Sequence, residues 1–288
     1  MAEFPRTMIE DLSVSRMIIG SNWFLGYSHT SGAKDKQILA MLGAKQMADI
    51  LEVFLKAGVD TLMAPFYPPS HGPQHQGLCD AIKDAQDRTG RKLIVIATPG
   101  INTAESPDAD AENQKTFDTM AANGASVCLP HTSSTDAMVD VRARKIRNMD
   151  RICAMIRQRR MIPGLSTHMP EAIVYADETD LDIGTYIAIY NAIGFLMHIE
   201  VDWIHKLIWR CKHPVLTIKP MAAGRLLPLV GLAFVWSTIR DCDMVTVGTM
   251  TPDEAKELIE ISLSILQRRP SEVQLQRTRS KQSVEAKK

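Results

Sequence analysis

The sequence predicts an α/β fold, a (β/α)8 TIM barrel with a short N-terminal β-hairpin, and three observations carry that prediction. Eight short β-rich apolar runs recur along the chain, segments with helical spacing or helix caps separate them, and 288 residues suit one barrel of about 250 residues with a tail. Near-continuous apolar runs are what parallel strands show when both of their faces are buried.

In chain order, FPRTMIEDLSV has the length and turn-like centre of a hairpin that plugs the barrel floor, the alternative being a loose arm. The strand runs are SRMIIGSN, TLMAPF, KLIVIATP, SVCLPH, IPGLSTH, TYIAIYN, VLTIKPM and MVTVGTM. Between them the spacing predicts helices over 36–56, 75–87, 112–123, 135–158 and 252–267, with a short fifth helix near 170–176. Residues 1–267 are thus expected to form one domain, and the polar, basic stretch 268–288 a mobile tail.

Composition narrows the partners. Lys plus Arg and Asp plus Glu are equal at 33 each, so no overall field draws the chain to nucleic acid or an anionic membrane. No apolar run approaches the roughly 20 residues of a membrane span, and the N-terminus carries no signal-like apolar core. Five cysteines without CxxC spacing fit reduced thiols, so a cytoplasmic location is expected.

Several segments resemble the aldo/keto reductases. LSVSRMIIGSNWFLG is similar to that family's hairpin and first strand, GLSTHMPEAI to its fifth strand, IYNAIGF to its sixth, KPMAAGRL to its KPLAxGxL and VTVGTMTPDEAKELI to its eighth strand and following helix. The match runs in order over roughly residues 4 to 267 and implies the same barrel. It also implies which functional positions have changed. Met63 stands where the family has its catalytic Asp, Tyr67 lies near the catalytic Tyr, Thr98 and Pro99 replace the catalytic Lys, and His131 keeps the His. Of the cofactor positions, Ser166-Thr167 replaces a Ser-Asn pair, Ile187 stands near the lost Gln and Leu258 near the lost Asn, while Tyr190 retains the aromatic that stacks on nicotinamide.

Barrel active sites lie at the C-terminal ends of the strands, so residues at those ends are expected to share one cavity. Five of eight histidines fall there: His29, His71, His75, His131 and His168. Imidazole is a common ligand for zinc-like ions, so His131, His168 and the loop residue His71 form a candidate metal site, with hydrogen-bonded pocket histidines an equal alternative. Lys219, which ends the seventh run, offers an amine that burial could convert to a nucleophile, though anion binding is the commoner role. Arg225 and Thr249 follow the seventh and eighth runs, where barrels often hold a phosphate, while Thr251-Pro252-Asp253-Glu254 also reads simply as a good helix start.

Three functional readings follow. The first is a small-molecule enzyme doing non-redox, His-dependent chemistry on a hydroxylated or carbonyl substrate, with His131, Tyr67 and His168 as catalytic groups and a divalent metal as cofactor. The second is a divergent NADP-dependent reductase holding its cofactor through Tyr190, Lys219, Arg225 and Thr249. The third is an inactive binding or scaffold protein. Trp203 and Trp209 lie off the core stripe of the sixth helix, which points to a homo-oligomer built on that helix unless neighbouring elements cover them.

Overall fold

The computed structural model describes residues 3–66 and 72–273 of the chain, so Tyr67 and His71 lie outside the described residues. A hairpin of β1 (Arg6–Ile9) and β2 (Leu12–Ser15) leads into β3 (Met17–Gly20). Then follow α1 (Gly32–Met41), α2 (Ala44–Lys56), β4 (Thr61–Ala64), α3 (Pro73–Thr89), β5 (Ile94–Ala97), α4 (Pro107–Ala122) and β6 (Ala125–Cys128). The middle of the chain holds α5 (Thr132–Thr135), the two-residue strands β7 (Val139–Asp140) and β8 (Lys145–Ile146), α6 (Met149–Arg157), β9 (Ile162–Ser166) and α7 (Pro170–Glu178). The last units are β10 (Thr185–Ile189), α8 (Val201–Arg210), β11 (Val215–Ile218), α9 (Pro228–Thr238), β12 (Met244–Val247) and α10 (Pro252–Leu266).

Strands β3, β4, β5, β6, β9, β10, β11 and β12 pair in that order, all in parallel, and β12 closes on β3. All eight predicted runs supply barrel strands. Successive side chains on a strand point to opposite faces, so closure sorts every strand into two sets. Ile18, Ile96, Val127, Ile162, Ile187, Leu216 and Met244 meet inside the barrel. Their neighbours Met17, Ile19, Leu62, Val95, Cys128, Leu165, Tyr186, Val215 and Val245 pack outward against the helices. Gly164, on the inward side of β9, leaves room for a side chain opposite. A Cβ there would stand 2.8 Å from the Leu129 side chain and 2.7 Å from the Thr185 carbonyl oxygen.

The hairpin does plug the floor: Ile9 and Val14 are fully buried in the same interior cluster as the strand residues. Thr7 donates to the Cys242 carbonyl at 3.0 Å, and Arg6 pairs with Asp60 at 2.8 Å, which pins the hairpin to the strand starts. Beneath β11 and β12, the fully buried Asp243 accepts from the Val215 amide at 2.9 Å and from Arg240 at 2.8 Å.

Two predicted helices are corrected. The segment 36–56 is two helices, broken at Leu42-Gly43, and Gln46 closes the start of the second by accepting from the Gly43 amide at 3.2 Å. The segment 135–158 is helical only at its ends. Asp140 accepts from the Ala143 amide at 2.9 Å, Arg144 and Asn148 adopt left-handed backbone, and the chain between β7 and β8 turns back on itself. The basic run Arg142, Arg144, Lys145 and Arg147 therefore sits in and beside this small hairpin, and only Arg151 is helical, where it pairs with Asp110. The short fifth helix is present as α7, and residues just past α10 fold back through Arg269, which pairs with Glu260 at 2.6 Å.

On α8, Ile204 and Ile208 are buried, whereas Trp203 and Trp209 keep 56% and 57% of their surface exposed, so neighbouring helices leave both indoles largely uncovered. Among the described residues no helix is long and apolar enough to cross a membrane.

The floor plug can be tested directly. Truncating Ile9 to Ala removes a fully buried side chain between hairpin and barrel, and the expected loss is about 2–4 kcal/mol in urea unfolding. A loss under about 1 kcal/mol would show that the barrel does not depend on the plug.

Candidate active site

At the C-terminal ends of β3, β4, β5, β11 and β12 lies a cavity of about 160 Å³, lined by Gly20, Trp23, Met63, Thr98, Lys219, Thr246 and Gly248 among others. The alternation that fills the interior continues upward, which is why Met63, Thr98 and Thr246 face this space. Trp23 forms one wall, close enough to Gly248 that a Cβ there would lie 3.4 Å from the indole.

Lys219 reaches the cavity by breaking that alternation. Ile218 packs with the interior, so a strand continued by one residue would send Lys219 outward into the helix layer. Instead Lys219 has φ +62°, a left-handed conformation that costs a non-glycine residue on the order of 1 kcal/mol, and its side chain lines the cavity beside Ile218. Left-handed backbone recurs at Ala222, Ala223 and Gly224, of which Ala223 and Gly224 also line the space. Helix α9 clamps this turn from behind: Gly231 lies so near that a Cβ would come within 2.6 Å of the Pro220 carbonyl oxygen.

No carboxylate lines the cavity beside this lysine, and among the described residues its amine has no hydrogen-bond or ion-pair partner. Burial alone pulls its pKa down from the ordinary lysine value to about 8. Thr246 presents a second unsatisfied group, a buried hydroxyl with no protein partner, on the same wall.

His29 lines the same cavity, while His131 and His168 lie outside its lining but close enough to feel the Lys219 charge. His131 caps α5: its Nδ1 accepts from the Ser133 amide at 3.3 Å and lies 2.8 Å from the Ser133 hydroxyl. A backbone N–H can only donate, so in the neutral ring the proton sits on Nε2. Burial first, and the Lys219 charge second, lower the pKa of His131. The same two causes, in the same order, bring His168 down to about 4 and lower His29. All three rings are therefore neutral at pH 7.

Asp136 braces the two principal histidine loops. Its Oδ1 accepts from the Thr167 hydroxyl at 2.5 Å, and its Oδ2 from the Thr132 hydroxyl at 2.8 Å and the His168 amide at 3.1 Å. In the sequence Asp136 is one of several acids just past strand ends. The signal that singles it out is its i+4 position from Thr132 across the cap that His131 begins.

Other expected residues sit elsewhere. Tyr190 shares the outward parity of Tyr186 and Ala188, is 1% exposed, donates its hydroxyl to Thr238 at 3.1 Å and packs on Phe234 with ring centroids 5.1 Å apart. It is no cavity wall, so the expected nicotinamide stack is corrected. Arg225 lays its guanidinium over Phe195 at 4.1 Å and donates to the Ala222 carbonyl at 3.1 Å, away from the cavity lining. Thr249 is buried with an unpartnered hydroxyl but does not line the cavity.

At the start of α10, Thr251 accepts from the Glu254 amide at 3.1 Å, and Glu254 accepts from the Met250 amide at 2.7 Å. The chain's own oxygens occupy these donors, and two acids in the first turn repel a phosphate, so the plain helix-start reading holds. The metal site is not supported either. Among the described residues no three His, Cys, Asp or Glu side chains could hold an ion, and the Lys219 cation acts on both His131 and His168.

No protein-family model and no curated protein matches this sequence. Similarity appears only among solved structures. An aldo-keto reductase so assigned from Pseudomonas aeruginosa aligns with a TM-score of 0.63 at 14% identity, covering 91% of this chain and 95% of its own. One from Klebsiella pneumoniae, in complex with NADP and acetate, aligns at 0.53 with 13% identity over 94% of this chain and 97% of its own. The chain shares the closed eight-stranded parallel barrel of these structures. That likeness concerns the fold, because a truncated 3-deoxy-D-arabino-heptulosonate 7-phosphate synthase from Thermotoga maritima aligns at 0.54 with 11% identity over 92% of both chains. Where the resemblance implied an acid and a cation, the cavity presents Met63 and Thr98.

The unpaired lysine has a measurable cost. Below pH 8 the folded chain carries a poorly solvated ammonium that the unfolded chain solvates fully, so Lys219→Met is expected to raise stability at pH 7 by roughly 1–3 kcal/mol. Between about pH 8 and the ordinary lysine value the wild-type amine is neutral when folded and charged when unfolded, so wild-type stability rises and the gap closes. Paired denaturant unfolding at pH 7 and pH 10 checks this; a variant less stable than wild type at pH 7 contradicts it.

Proposed function

We propose that the chain is a small-molecule enzyme that moves a proton next to a carbonyl group, without hydride transfer, in the cavity at the strand ends. The observation that carries this reading is Lys219: an amine with no acid partner among the described residues, its pKa lowered to about 8, turned into the cavity at the strand ends by its own backbone. Near neutral pH a usable fraction of such an amine is free base, which suits abstraction of a proton α to a carbonyl. His131 stands outside the cavity lining but near enough to feel the lysine's charge, and in this reading its neutral ring, with the proton on Nε2, is the donor to the developing enolate. The hydroxyl of Thr246 adds a further donor on the wall.

A space of about 160 Å³ admits a compound of only a few carbons. Proton exchange by dihydroxyacetone and hydroxyacetone in heavy water, followed by NMR, tests the reading. Exchange above the buffer rate is expected in the wild type, with a drop of about a hundredfold in His131→Ala and in Lys219→Met. Wild-type exchange no faster than buffer for either ketone would sink the proposal.

A divergent reductase is the second reading, favoured by the NADP complex of the Klebsiella pneumoniae barrel. It draws no support from Tyr190, which faces the helix layer, nor from the acid-capped start of α10. Titration with NADPH, read by its fluorescence, separates the two: saturable binding below millimolar cofactor favours the reductase, and a flat response favours proton transfer.

A further inference from the structure

From the position and surroundings of Lys219, we propose that its amine is a covalent nucleophile that forms an iminium with an uncharged small ketone or aldehyde. The inference rests on the reading of this cavity as the active site and sharpens it: the amine activates the carbonyl by bonding to it, so that the adjacent carbon of the iminium loses its proton to another base, and the class of substrate is named.

Geometry supports the nucleophile. The side chain lines the cavity because left-handed backbone at Lys219 redirects it, and Gly231 lets α9 hold the turn in place from behind. A lysine kept for an ion pair needs a carboxylate, and among the described residues no acid lines this cavity. Burial with no acid partner favours the neutral amine, the form whose nitrogen lone pair can attack.

The same surroundings select the substrate. Among the described lining residues Lys219 is the lone cation, so its positive charge stays on the nitrogen that becomes the iminium and no second cation stands there to hold a phosphate or carboxylate. The nearby N-terminus of α10 already receives Glu254. Trp23, Met63 and Ile218 supply apolar walls, while Thr98 and the unpartnered Thr246 hydroxyl supply hydrogen bonds suited to a carbonyl or hydroxyl group.

The step balances without an oxidant or a further reactant. The free amine adds to the carbonyl carbon, forming the C–N bond, and the oxygen takes a proton to give a carbinolamine. The C–O bond then breaks, and the oxygen leaves as water on taking a second proton. Summed from the ammonium form, ketone plus R–NH3+ yields iminium plus water, so every proton needed comes from the lysine itself.

Reductive trapping tests the proposal. The full chain is incubated at pH 8 with dihydroxyacetone or with pyruvate in the presence of cyanoborohydride, digested, and its lysine peptides are measured by mass spectrometry. Dihydroxyacetone is expected to modify Lys219 at least about tenfold above the average of the other lysines, and above the extent seen with pyruvate. Independently, 2,4-pentanedione is expected to give one equivalent of a near-ultraviolet enaminone band, absent in Lys219→Arg. The peptide map needs only the wild type, so it stands even if the variant fails to fold. Modification spread evenly over the lysines overturns the nucleophile, and preferential trapping of pyruvate overturns the uncharged class. Proton exchange without an adduct would leave Lys219 as a base alone, refuting the covalent step and keeping the reading of the cavity. An adduct without exchange would do the reverse.

Discussion

Closure of eight parallel strands imposes a strict division of side chains into those that fill the barrel and those that meet the helices, and the remaining structure follows from it. The inward set is apolar from the hairpin plug at Ile9 and Val14 up to Met244 and Ile187. Apart from Thr61 and Thr185 at the strand starts, polarity on that face gathers at the upper rim, where the strands end and loops begin. Because the lower layers are packed, a ligand has one end of the barrel at which to enter.

Against this background Lys219 is an exception with two costs. Its backbone occupies a region disfavoured for a residue with a Cβ, and its amine is taken from water without a counter-charge. The backbone is held by the turn itself, in which the Lys219 carbonyl accepts from the Ala222 amide at 2.9 Å and α9 packs behind Pro220, whereas the amine has no partner among the described residues. Costs of this kind persist where they serve chemistry, and they are what sets this cavity apart from an ordinary gap between loops. The lysine also shapes its surroundings, because its charge acts with burial to hold His29, His131 and His168 in the neutral form. A cluster of histidines that resembles a metal site in the sequence thus becomes a ring of neutral imidazoles within range of one amine's charge.

Asp136 gives that ring its rigidity. By accepting from Thr132, Thr167 and the His168 amide, it ties the loop after β6 to the loop after β9. Each of the two loops is thereby held against the other.

The eight strands, the floor hairpin, the start of α10 and the rim position of His131 were legible in the sequence, because apolar periodicity and cap residues are local properties. The sequence also marked Lys219 as the end of a strand and Tyr190 as an aromatic near the rim. Only the tertiary structure decided which way each one points. Tyr190 follows the strand parity into the helix layer, and Lys219 escapes it through a left-handed turn clamped by Gly231. The hairpin between β7 and β8, read as helix from its spacing, was likewise settled by the Asp140 turn and two left-handed residues. Backbone handedness at a single residue and the burial of a charge depend on what packs behind and around them, and those neighbours are distant in the chain.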